Sequence, residues 1–519
     1  VPTGVPGLDE VLRGGLPAGR LYLLAGGPGT GKTTLGLRFL LEGVRRGETS
    51  LYITLLQDRH ELDDVAASHG WSLEGLRLAQ LPDELTEAAT EPQTVFNPAD
   101  VELGELTDAI ADAIATHRPD RLVLDSLSEL RVLVNGRHPF RRHLVRLKRA
   151  AMSAGSTVLM TAGASTVDEY PHAQTIAHGV IRLDYRVPPY GEPRRVLRVA
   201  KVRGIDFTGG DHDFTIRTGG LTVYPRLSPS DDGGGGEPAG EPLSSGNAGL
   251  DRLLGGGMVP GTACIIMGTT GVGKSTTVSL FLRAAVERGG HASLYCFDES
   301  PRSFQARSRG LGLGLDPHIE SGRLRLRSYR VGEITSGRLM HELRRDVEDR
   351  GAAVVAIDSF TGYLNAVPFE EEVTTKLHEF IAYLSGRGVL TLVTVGLHGA
   401  VETVGSEVDA SYLADTVVLM RHFEALGSVR RCISVLKKRH GPHEKAIREL
   451  DVGEGGIRVG PPLERFAGVL TGTPTYLGEP GKLFCGDVTD DQDADDQEAS
   501  DQEADDREAD DREADDQDG

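Results

Sequence analysis

The pattern Gly-x-x-x-x-Gly-Lys followed by Thr or Ser occurs twice in this chain of 519 residues. It appears as Gly26-Gly27-Pro28-Gly29-Thr30-Gly31-Lys32-Thr33 and as Gly268-Thr269-Thr270-Gly271-Val272-Gly273-Lys274-Ser275. Each copy follows a short apolar run and opens an amphipathic stretch, the context that a phosphate-binding loop requires. A loop with little Cβ bulk can wrap backbone N–H groups around a β-phosphate. The following helix presents its positive end, and the lysine neutralises the β and γ oxygens. The nucleotide-binding set is expected to run on through Thr34 and Thr276. The offset of 242 residues between the loops also carries Thr3-Gly4-Val5-Pro6-Gly7-Leu8-Asp9 onto Ser245-Gly246-Asn247-Ala248-Gly249-Leu250-Asp251. The chain is a tandem duplication and must fold as two domains built alike.

Within a copy, continuous apolar runs alternate with helical stretches. Leu21 to Ala25, Ser50 to Leu55, Arg121 to Leu124 and Thr157 to Thr161 read as strands, and Thr33 to Val44 as a helix. Such runs imply a mainly parallel sheet covered on both faces, so the predicted architecture is two tandem α/β P-loop domains. Domain one is expected over 1–227 and domain two over 243–484. The segment 228–242, with four consecutive glycines, has the composition of a flexible linker. The segment 485–519 reads as a disordered tail. Asp487 to Gly519 holds 18 acidic residues against two arginines, a net of −16 out of the formal −21, so the body is nearly neutral. A tail of this kind repels itself and buries no apolar surface; it is either a solubilising segment or a docking segment for a basic partner. The near-neutral body gives little reason to expect nucleic-acid or anionic-membrane binding. No apolar run nears the roughly 18 residues of a membrane span, and residues 1–30 lack a signal-peptide pattern, so a cytoplasmic protein is expected. Cys264, Cys296, Cys432 and Cys485 stand far apart and read as reduced thiols.

A P-loop nucleotide needs magnesium, which Thr33 and Ser275 are placed to ligate, and an acid at the end of a neighbouring strand to hold it through water. Arg121-Leu122-Val123-Leu124-Asp125-Ser126 and Val354-Val355-Ala356-Ile357-Asp358-Ser359 supply Asp125 and Asp358. Hydrolysis also needs a group that orients water. In RecA-like ATPases it comes from the end of the strand after the P-loop helix, where copy one reads Leu55-Leu56-Gln57-Asp58 and copy two reads Phe297-Asp298-Glu299-Ser300. Asp298 and Glu299 can accept a proton; Gln57 can orient water but not take its proton. The alternative for the two acids is that they cap the loop.

The duplicated layout, the Thr-Gly-x-x-Gly-Leu-Asp opening, the P-loops and the Ile-Asp-Ser strand end resemble the KaiC family of circadian-clock ATPases within the RecA superfamily. Late in copy two, Val435-Leu436-Lys437-Lys438-Arg439, His443-Glu444-Lys445-Ala446-Ile447-Arg448-Glu449 and Thr471-Gly472-Thr473-Pro474-Thr475 are similar to the end of that family's autokinase domain. The resemblance implies a homo-hexameric ring with ATP and Mg²⁺ at each subunit interface and an unidentified signalling partner. It implies that Lys201 and Arg203, and likewise Lys437 and Arg439, reach a neighbour's γ-phosphate; solvated edge-strand charge is the other reading of these pairs. The family carries two adjacent glutamates where this chain has Leu56-Gln57 and Asp298-Glu299, so copy one reads as hydrolytically impaired. At the family's phosphorylated Ser-Thr pair the chain has Ser411-Tyr412, which leaves Ser411 as an autokinase target or a helix or turn cap. The expected function is an ATP-hydrolysing signalling switch with a serine autokinase activity in domain two. The alternatives are a DNA-binding recombination ATPase and a non-hydrolysing ring scaffold.

Overall fold

The computed structural model describes residues 1–55, 57–80, 98–132, 137–164, 171–187, 191–227, 240–367, 373–397, 414–425, 427–471 and 474–478. Most of the predicted linker and the whole acidic tail, with Cys485, lie outside these residues. Among the described residues domain one has nine strands: β1 (Leu21–Gly26), β2 (Ser50–Thr54), β3 (Arg77–Gln80), β4 (Arg121–Asp125), β5 (Thr157–Ala162), β6 (Gly179–Arg186), β7 (Arg194–Val202), β8 (His212–Arg217) and β9 (Gly220–Tyr224). They form one sheet in the order β3-β2-β4-β5-β1-β6-β7-β8-β9. The first six in that order run parallel and the last three add antiparallel neighbours.

Domain two repeats this order. Its strands are β10 (Ala263–Gly268), β11 (His291–Cys296), β12 (Leu324–Ser328), β13 (Ala352–Asp358), β14 (Leu390–Gly396), β15 (Thr416–Ala425), β16 (Ser428–Lys438), β17 (Arg448–Gly453) and β18 (Gly456–Pro462), arranged β12-β11-β13-β14-β10-β15-β16-β17-β18. The mainly parallel α/β architecture expected from the apolar runs, RecA-like as the resemblance implied, is the one observed, and β1, β2, β4 and β5 end within one residue of expectation. Cys264, Cys296 and Cys432 are buried free thiols.

The unbroken apolar strands follow from burial on both faces. Along β1, Leu21, Leu23 and Ala25 join a cluster with Leu106, Ile110, Phe140 and Leu144 from the helices Pro98–His117 and Arg137–Ser153. Tyr22 and Leu24 face the opposite cluster, with Leu35, Leu37, Phe39 and Leu40 of the P-loop helix Lys32–Arg45. Arg121, at the start of β4, ties that helix to the sheet. Its fully buried guanidinium donates to Phe39 O at 2.9 Å and Pro2 O at 2.7 Å, pairs with Glu48 and lies over the Phe39 ring.

The domains touch through β8 and the helix Ser336–Glu348. Gly337 N donates to Asp213 Oδ2 at 2.8 Å, and Asp213 Oδ1 also accepts from Arg194 Nε at 2.8 Å. Arg344 pairs with Glu10, and Arg226 with Glu379, across the same boundary.

Arg121 holds the P-loop helix against the strand that ends in Asp125, so its loss reaches both. Arg121→Met keeps the volume but strands Glu48 and two carbonyls, and it should lower domain one's unfolding free energy by about 3–5 kcal/mol. Urea denaturation of the full chain reads this as a first transition moved to lower urea, with domain two's transition unmoved.

Candidate functional site

Each site forms where parallel strands end together. In domain one β5 lies between β1, which feeds the P-loop, and β4, which ends in Asp125. Strand spacing of roughly 4.8 Å then puts the loop and the acid two strand widths apart, with the end of β5 between them. The P-loop turns on glycines that no other residue replaces without strain. Gly31 has φ 97°, and a Cβ there would lie 2.5 Å from Ile216 Cδ1 of β8; Gly273 has φ 113°, with Val452 Cγ2 at 3.0 Å from its Cβ position. Both helices begin at the next residue, Lys32 and Lys274.

The lysines fold back over their loops. Lys32 Nζ donates to Gly26 O at 2.9 Å and Gly27 O at 2.8 Å; Lys274 Nζ donates to Gly268 O at 2.7 Å and Thr269 O at 2.8 Å. Burial pulls both ammonium groups below their usual pKa, opposed by Asp125 in domain one and by Asp358 and Asp298 in domain two. A desolvated ammonium beside a helix N-terminus is relieved by an anion, and polyphosphate is the anion that this cradle fits.

Asp125 accepts from Thr33 Oγ1 at 3.1 Å, from Tyr52 OH at 2.5 Å and from Thr161 Oγ1 of β5. A hydroxyl and a carboxylate at the mouth of the loop are the all-oxygen donors that magnesium takes, so the residues present fit that ion. In domain two Asp358 accepts from Thr394 Oγ1 of β14 at 2.5 Å. The peptide bonds after both acids are cis. Burial and Asp125 push the Tyr52 phenol far above its usual pKa, so it stays a donor.

The residues beyond β2 and β11 part company. Asp298 accepts from Ser359 Oγ, beside Asp358. Glu299 is drawn to Arg307 NH2 at 2.8 Å and Ser303 Oγ at 3.1 Å, and the following helix is capped by Ser300. Of the two acids, Asp298 is the one that meets the residue after Asp358. In domain one Gln57 closes a tight turn with Thr54, its N donating to Thr54 Oγ1 at 2.9 Å, and its Oε1 is buried without a hydrogen-bond partner among the described residues.

Lys201 and Lys437 occupy the same register on β7 and β16, beyond the stretches Arg195–Leu197 and Arg431–Ile433 that pair with β8 and β17, so each lies on a locally open side of its strand, where the edge-strand reading still applies. Lys201 donates to Gln174 O, Arg203 to Thr175 O at 3.2 Å, Lys437 to Ala414 O at 2.8 Å, and Arg439 meets Asp415 at 3.4 Å. Ser411 and Leu56 lie outside the described residues.

Sequence reading passed over Tyr52, Thr161, Thr394, Ser359 and Glu129. Thr161 and Thr394 had a signal: a hydroxyl inside an apolar run, at matching places in both copies. Glu129 is half-buried, and burial with Asp125 nearby raises its carboxyl pKa.

Thr394 orients the acid expected to hold magnesium. Thr394→Val should weaken the Mg²⁺ dependence of nucleotide binding about tenfold, as loss of an outer-shell partner does elsewhere. Titrating magnesium against nucleotide bound by domain two measures it, and an unchanged midpoint removes that role.

Among known proteins, the model of the KaiC ATPase family matches residues 1–228 and again 243–464. The circadian clock protein KaiC3 of Synechocystis sp. (strain ATCC 27184 / PCC 6803 / Kazusa) is 28% identical over 493 residues, covering 92% of this chain and 95% of that protein. The circadian clock oscillator protein KaiC of Thermostichus vulcanus is 28% identical over 496 residues, covering 92% of both. That of Synechococcus elongatus (strain ATCC 33912 / PCC 7942 / FACHB-805) is 27% identical over 498 residues, again covering 92% of both.

Proposed function

This chain belongs to the KaiC ATPase family, and from that premise we propose that it is a nucleotide-state switch, hydrolysing ATP in domain two with Asp298 as the proton acceptor. The observation that supports this most is the convergence of Lys274, Asp358 and Asp298 on one loop mouth, where both acids oppose the lysine's desolvation. Magnesium, held by the Thr33 and Ser275 hydroxyls and through water by Asp125 and Asp358, would neutralise charge on the β- and γ-phosphates. The protein's own part is to cradle the phosphates on backbone N–H groups, to hold Lys32 and Lys274 on them, and to aim Asp298 at the attacking water through Ser359. The reduced thiols suit a cytoplasmic location.

Assembly belongs to the same reading. Lys201, Arg203, Lys437 and Arg439 lie late in each domain, at the ends of β7 and β16, and in a homo-hexamer they would meet the γ-phosphate bound by the next subunit. Charge-assisted contacts across a shared phosphate vanish with it, so ATP should hold the ring together. Sedimentation with Mg²⁺ and ATP is expected to show the ring and, after nucleotide removal, a smaller species; one unchanged mass overturns the interface role. Lys32→Ala and Lys274→Ala should each empty their own site, and the double variant should neither bind nor hydrolyse ATP. Single-stranded DNA that stimulates turnover would favour a recombination ATPase instead.

A serine autokinase activity is the finer part of the proposal. Phosphoryl transfer to a hydroxyl asks for in-line placement, magnesium and a proton acceptor, and Asp298 could serve Ser411 of an adjacent subunit. After incubation with Mg²⁺ and ATP, phosphopeptide mapping should find phosphate on Ser411, lost in Asp298→Asn and Lys274→Ala. Rings that form and carry no phosphate leave the ATPase alone.

A further inference from the structure

The two domains differ at a pair of positions in opposite senses. Leu55 N donates to Asp125 O at 3.0 Å as Phe297 N does to Asp358 O at 2.8 Å, so Leu56 corresponds to Asp298. Beyond the magnesium acids, Gly163 N donates to Ser128 Oγ at 2.8 Å as Gly396 N does to Thr361 Oγ1 at 3.4 Å. Glu129 therefore corresponds to Gly362. Where domain two has a carboxylate on the strand end and glycine on the helix, domain one has leucine and glutamate.

The glycine follows from the acid. A Cβ on Gly362 would lie 2.4 Å from Asp298 Oδ1 and 2.7 Å from Phe297 Cβ. Its direction leads into the space of the Asp298 carboxylate, so a side chain fits at one of these positions and not at both. In domain one that direction belongs to Glu129, on the helix Leu127–Val132, half-buried and close enough to Asp125 to feel its charge.

We infer that Glu129 gives domain one the proton acceptor that Leu56 does not provide, so that both domains hydrolyse ATP with carboxylates delivered from different elements. The inference rests on the ATPase reading of the P-loops. The water oxygen bonds to the γ-phosphorus as the bond from that phosphorus to the β,γ-bridging oxygen breaks, and the electron pair leaves with ADP. The proton lost by water passes to the Glu129 carboxylate and on to solvent, leaving ADP and inorganic phosphate. The apparent impairment of domain one is then a relocation.

The test uses the full chain carrying Lys274→Ala, so that domain one acts alone. The parent is compared with Glu129→Gln and with the paired change Leu56→Asp and Glu129→Gly, which rebuilds domain two's arrangement. Turnover is measured beside the affinity for a β,γ-imido analogue of ATP. Glu129→Gln should cut turnover on the order of a hundredfold with analogue affinity held within about twofold, and the paired change should recover at least about tenfold. The inference is overturned by a Glu129→Gln chain within about threefold of its parent, since removal of a proton acceptor costs far more than that. It is equally overturned by turnover and analogue affinity falling together, or by a paired change that binds the analogue and recovers nothing. A Lys274→Ala parent that binds the analogue without turnover also ends it, whereas a Lys32→Ala chain without turnover would count against the ATPase reading of domain two.

Discussion

Each domain is organised by one short turn of backbone, where a buried parallel strand becomes a helix and must leave its N–H groups facing outward. The turn takes left-handed backbone at Gly31 and Gly273, and side chains of β8 and β17 crowd their Cβ positions, so glycine is required on both counts. Helix N-termini carry unsatisfied donors and partial positive charge. The lysine that follows adds a full charge in a desolvated place. In both domains the loop carbonyls hold that ammonium over the turn.

The intervening strand is the second requirement. β5 and β14 separate the loop strand from the acid strand in each sheet, and their terminal threonines span that gap by donating to Asp125 and Asp358. A carboxylate held in this way keeps one orientation. Domain one adds Tyr52, whose phenol is locked as a donor, so its acid is the more firmly held. The duplicated sites thus share a frame while differing in the groups that restrain it.

The frame also explains why divergence fell where it did. The loop, the acid and the threonine depend on one another, whereas the space that takes the second carboxylate can be entered from the strand end or from the helix beyond the acid. Glu299 shows the cost of proximity along the chain without proximity in space: one residue from Asp298, it is committed to Arg307 and to the helix that follows. The domains in turn are pinned through Asp213, which accepts from both Arg194 and the backbone of Gly337.

What the sequence by itself determined is what lies in contiguous stretches: two domains, their strand and helix alternation, the two P-loops, and the acids that end β4 and β13. Each of these is a local pattern, in which spacing along the chain sets spacing in space, so composition and periodicity suffice to find it. Tertiary structure alone decided which side chains meet across strands. It brought Thr161, Tyr52 and Thr394 onto the acids, separated Asp298 from Glu299, and filled with the Asp298 carboxylate the space toward which a side chain at Gly362, the counterpart of Glu129, would point. Those pairings depend on the direction of a Cβ and on which strand lies between two others. The chain does not write either of these down until the sheet order is known.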